Sequence, residues 1–175
     1  MNWHVPDNLS FEDALQLSEI FLEGMESNSL KETEIQEIIT ILISSENGAR
    51  GFFVTYLTSD KSLADTPTEE VINALKTSPE IVSELLVKNL AMSSAMAITH
   101  RRNNDEEMAQ GSDRVCQRTT QLIQQVDLGL ITEKLQQLQE TIVTGAGKYT
   151  PFLERWGYDE EQKTVIKHQV EMNLN

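Results

Sequence analysis

The sequence predicts an all-α chain, a single helical domain over residues 1–175. It folds as a compact multi-helix bundle of about six to eight helices around a buried central helix near residues 80–102. Three observations carry this expectation. Apolar residues recur at spacings of three and four along most of the chain. Residues that start and stop helices punctuate those stretches, leaving connections of a few residues. No two segments read as convincing partner strands.

Ser10 opens the first helix, and Asp13 stands three residues on, where an N-cap serine finds its answering residue. Phe11, Leu15, Leu22 and Met25 follow at helical spacing, with Ile20 and Phe21 beside them and Gly24 near the end. A second helix after Ser29 carries Ile35, Ile38, Ile39 and Leu42, and Asn47 with Gly48 predicts its stop. Residues 52–58 are the ambiguous piece, because Phe52, Phe53, Val54, Thr55 and Tyr56 also suit a strand. A lone strand leaves its backbone groups unpaired, so residues 49–58 are read as helix, with a strand paired across a dimer as the alternative.

Residues 59–66 form a loop, and Thr66, Pro67 and Thr68 lead into a short helix with Val71, Ile72 and Leu75. Ser78, Pro79 and Glu80 are a strong start signal: a cap, a proline for the first position and an acid for the positive end of the helix dipole. Residues 85–98 are apolar nearly all round, which predicts a buried helix with Leu85, Leu86, Leu90, Met92 and Met96 inside. Asn103 and Asn104 end it, and Gly111 with Ser112 predicts another break. Val115, Thr119, Leu122 and Val126 form the next stripe, then Ile131, Leu135, Leu138 and Ile142 after a turn at Asp127, Leu128 and Gly129. Gly145 to Gly147 close that helix. Thr150 and Pro151 start a short one that Gly157 stops, and Asp159 caps the last, with Val165, Ile166 and Val170.

The net charge of −14 disfavours nucleic acid, which needs a lysine- and arginine-rich face, and disfavours an anionic membrane surface. Cys116 is the only cysteine, so no intrachain disulfide forms and a reducing, cytoplasmic setting is expected. The first residues lack a basic stretch followed by an apolar run and do not read as a signal peptide. The apolar run at 85–98 is shorter than the ~20 residues of a membrane span, so none is expected.

No motif names a reaction. Gly145, Ala146, Gly147 and Lys148 resemble a phosphate loop only in part. Ile142 stands where that motif needs its first glycine, and Tyr149 where it needs serine or threonine. None of the three histidines, His4, His100 and His168, follows a glutamate by three residues, so the carboxylate-bridged metal signature of helical bundles is missing. No metal or cofactor is expected. Cys116 has Arg114 and Arg118 nearby, which lower a thiol pKa, but its neighbours Val115 and Leu122 favour a place in the core.

The unusual segment is 100–118. Four of the six arginines, Arg101, Arg102, Arg114 and Arg118, fall there, next to His100. Arginine presents a rigid fork of donors suited to carboxylate or phosphate. These five residues are the candidate binding site, either as a docking surface for an acidic partner or as an anion pocket. The competing reading is structural: Arg101 with Asp105, and Arg102 with Glu106, are spaced to pair along one helix. The second asymmetry is at the start, where residues 1–47 hold ten acidic residues against Lys31 alone. That is a solvated face or a surface for a basic partner. The resulting expectation is a non-enzymatic interaction, adaptor or assembly protein with a protein partner. The alternative is a ligand-binding or enzymatic domain taking a small anion at 100–118, and a homo-oligomer is left open.

Overall fold

A computed structural model describes residues 3–175. Among them are nine α-helices and no strand. They are α1 (Phe11–Glu26), α2 (Glu32–Leu42), α3 (Glu46–Thr58), α4 (Glu69–Leu75), α5 (Pro79–Arg102), α6 (Glu106–Val126), α7 (Gly129–Thr144), α8 (Thr150–Trp156) and α9 (Glu160–Leu174). The all-helical prediction holds, and two seven-residue helices, α4 and α8, take the number past eight. The chain divides into two compact units, Met1–Leu85 and Leu86–Asn175, and the division runs inside α5 rather than through a linker.

In the first unit α1 packs on α3, and α2 packs on α3 and α4. Ser10 caps α1 as expected, its hydroxyl oxygen accepting from the Asp13 N–H at 3.1 Å. The core is aromatic: Phe21, Phe52, Phe53 and Tyr56 are buried, and the Phe52 ring stacks on Tyr56 with centroids 5.2 Å apart. This settles the ambiguous segment. A strand alternating through 52–58 would put Val54 on the same face as Phe52 and Tyr56. Instead Ala49, Phe52, Phe53, Tyr56 and Leu57 are buried at helical spacing and Val54 is 44% exposed.

The expected stop at Asn47 and Gly48 does not occur there. Both lie in the first turn of α3, where Ser45 is the cap and accepts from the Gly48 N–H at 3.1 Å. Glycine is needed for space, not for left-handed backbone: a Cβ on Gly48 would stand 2.0 Å from the Leu42 carbonyl oxygen. Gly51 has the same role one turn on, where its backbone lets α3 meet Ala14 of α1 closely.

In the second unit α9 packs on α6 and α7. The residues of α5 that belong to this unit are touched by three helices. Ser93 shares a hydrogen bond with Cys116 of α6, Lys88 lies over the Phe152 ring of α8 at 5.7 Å, and the Gln162 amide of α9 donates to Thr99 Oγ1 at 2.9 Å. Leu86 and Leu90 are fully buried, as expected of a core helix. The expectation fails for three neighbours: Leu85 and Met92 are half-buried and Met96 is 38% exposed. Apolar character all round a helix does not require cover all round. By length and composition α5 is the one helix among the described residues that is apolar enough to cross a membrane, and 56% of that stretch is buried in the fold.

Gly111 and Ser112 do not break α6, which runs unbroken from Glu106 to Val126. A Cβ on Gly111 would meet nothing within 4 Å. Gly111→Ala is therefore expected to stabilise the protein by roughly 0.5–1 kcal/mol, the helix preference for alanine, as read from urea unfolding. A loss of stability would mean that the backbone at Gly111 serves a purpose the helix does not show. The later stops fall where expected. Asp127, Gly145 and Gly157 take left-handed conformations, and Asp159 forms a reciprocal capping box with Gln162.

Candidate functional site

The five residues nominated from the sequence lie on the hairpin between α5 and α6. Asn104 takes the left-handed conformation (φ 56°). The Asp105 N–H then bonds the His100 carbonyl at 2.9 Å, and the Asn104 N–H bonds that of Arg101 at 3.1 Å. This is a Schellman closure with asparagine in the usual glycine place. Asp105 at once caps α6 by accepting from the Met108 N–H at 3.1 Å.

Because α5 ends at Arg102, the pairs expected along one helix do not form. Arg101 instead reaches Asp113 of α6 at 2.6 Å and Glu106 at 3.2 Å. Arg102 turns to the start of α9, bonding Asp159 at 2.6 Å and also Glu161. Hydrogen bonds to these carboxylates hold both guanidiniums even further above their ordinary pKa, led by Asp113 for Arg101 and Asp159 for Arg102. Both side chains are about two-fifths exposed, so the pairs contribute little to stability.

The five do not make one surface. Arg101 and Arg102 are exposed and face different helices, and His100 and Arg114 are half-buried. Arg118 is buried at 2% exposure and engaged with other groups of the chain. It lies five residues beyond Asp113, about 7.5 Å further along α6. Cys116 is buried too, and desolvation pushes its thiol pKa up despite the nearby arginines. The segment at Gly145 is a helix end. The Gly147 N–H is taken by Thr150 Oγ1 and the Tyr149 N–H by Thr141 Oγ1. Among the described residues no three histidine, cysteine or acidic side chains are placed to hold a metal ion.

The Arg102 pair makes a pH prediction. Its hydrogen bond, and then the Gln162 N–H, hold the Asp159 carboxyl below the ordinary range. A depressed carboxylate contributes stability above its unfolded pKa of ~4, and that stability is lost as pH falls through the lower folded value. An NMR titration should therefore show Asp159 ionised at pH values where ordinary aspartates are half protonated, and Arg102→Gln should raise its midpoint. An Asp159 midpoint near ~4 in the wild type would contradict this.

A second surface lies on the acidic first unit, and its groove is not legible in the sequence. Between α1 and α3 runs an open groove of about 330 Å³. Leu15, Leu22 and Val54 line it together with Glu19, Glu23 and Asp60. Lys61, the cation in its lining, is paired with Glu26. Ile20, 53% exposed, stands on α1 next to Glu19. The legible signal was the acidic run of residues 1–47, which includes Glu19 and Glu23 of its lining. The exposure of Val54 followed only from how α3 is packed. None of the grooves lined by Thr33 and Ile41, by Thr141 and Tyr158, or by Leu15 and Val54 has an arginine in its wall.

The charge is divided unequally between the units. Residues 1–85 hold sixteen acidic and four basic side chains, a net −12, and residues 86–175 hold twelve and ten, a net −2. No curated protein and no solved structure matches the chain. Residues 10–173, nearly its whole length, match the family described as Uncharacterised conserved protein UCP020893, and the chain belongs to that family.

Proposed function

We propose that the protein is a cytoplasmic, non-enzymatic interaction protein whose acidic first unit binds a basic protein partner. The observation that carries this reading is the charge division: nearly all of the net −14 sits in residues 1–85. On α1 and α2, Glu12, Asp13, Glu19, Glu23, Glu26, Glu32 and Glu37 are all exposed. Surface charge of one sign steers association with a partner of the other and repels nucleic acid and anionic lipid. The reading rests on this unit rather than on the arginines, because Arg101 and Arg102 already hold carboxylates of their own chain.

The test is affinity capture from native lysate by the wild type and by the Glu19→Gln, Glu23→Gln, Glu37→Gln variant. Glu19 and Glu23 are like charges four apart on α1, so neutralising them leaves the melting temperature unchanged or slightly raised. Binding of the captured basic partner should weaken about tenfold in the variant and fall with salt in the wild type. A partner held equally by both proteins, at any salt, would remove the acidic unit from the functional account.

A further inference from the structure

We infer that the groove between α1 and α3 is a docking site for an amphipathic helix of another protein, one with an apolar edge flanked by lysine or arginine. The inference rests on the proposed role of the acidic unit and says where and how the partner is held.

The groove combines two features that a charged face alone lacks. Its wall holds Leu22, buried, Leu15, half-buried, and Val54, 44% exposed, so a visiting side chain meets apolar carbon. Beside it, Glu12, Glu19, Glu23 and Glu26 recur at intervals of seven, four and three along α1. That spacing puts all four carboxylates on one face, because residues seven, four or three apart differ by about 20°, 40° and 60° around a helix. The stripe runs between Leu15 and Leu22 on one side and Ile20 on the other.

A helix laid in the groove matches this order, with leucine-like anchors against Leu15, Leu22 and Val54 and cations along the stripe. The stripe is under-compensated as it stands. Glu26 has Lys61, but among the described residues Glu19 and Glu23 have no ion-pair partner. A second copy of this chain is a poor occupant. Its second unit is close to neutral, and the arginines at its α5 end are engaged with Asp113, Glu106, Asp159 and Glu161.

The experiment is isothermal titration of the full chain with a synthetic leucine–lysine peptide of about 18 residues, its leucines on one helical face. A scrambled peptide of the same composition lacks that face. Val54→Asp removes an apolar wall residue while adding negative charge, so any loss of binding cannot come from weaker attraction. Val54→Ser serves in its place if Val54→Asp lowers the melting temperature.

The patterned peptide is expected to bind about tenfold tighter than the scrambled one, and Val54→Asp to weaken it at least about fivefold. Equal binding of the two peptides, or unchanged or tighter binding to Val54→Asp, would overturn the groove while leaving the acidic-surface reading in place. Binding of neither peptide at low salt would overturn both.

Discussion

Leu90→Ala is expected to destabilise the protein by about 2–5 kcal/mol, measured by urea unfolding. Leu90 is fully buried on α5, in the second unit. Removing its side chain costs the transfer free energy of the lost carbons and leaves a cavity. The same helix provides the control. Met96 is 38% exposed, so Met96→Ala should cost well under half as much. A Leu90→Ala loss below ~1 kcal/mol would mean that α5 does not form a packed core.

Gly51→Ala is expected to destabilise the first unit by roughly 1–3 kcal/mol, although alanine is the better helix former by ~1 kcal/mol. The deciding fact is room. The new Cβ would stand 2.4 Å from the Ala14 Cβ and 2.8 Å from the Ala14 carbonyl carbon. A backbone atom cannot rotate aside as a side chain can, so α1 and α3 must separate where Phe21 and Phe52 fill the core between helices. The contrast with Gly111→Ala, the same substitution in another helix, is the sharper test. Thermal unfolding should move down for Gly51→Ala and up for Gly111→Ala. Movement of both upward would show that helix preference, not helix contact, governs these sites.

That contrast also marks where the sequence could be read and where it could not. Ser10 with Asp13, Asn104, Asp127, Gly157 and Asp159 were legible because a cap or a left-handed turn acts within a few residues of itself. Gly48 and Gly111 misled for the same reason. The letter is identical whether glycine supplies a turn, a close approach or nothing at all, and only the neighbouring helix decides. The apolar residues of α5 predicted a buried helix, but their number does not reveal which side is left uncovered, hence Met96.

The arginine segment shows the same limit. Its residues were found, but the partners of Arg102 lie 57 and 59 positions away, where no local spacing reaches them. Arg118 reads in sequence like the exposed Arg101 and Arg102 and is buried. The acidity of the first unit was plain from counting. The groove beside it was not, because it depends on Val54 staying exposed on a helix whose other large apolar side chains are buried.

Zero-length carbodiimide cross-linking in native lysate would show whether the acidic first unit binds a basic partner. This reagent joins a carboxylate only to an amine in direct contact with it. Links are expected from Glu19 and Glu23 on α1 to lysines of one partner polypeptide, with their loss as salt is raised. Links to a partner arising only from carboxylates of the second unit, or links from α1 that persist unchanged as salt is raised, would contradict it.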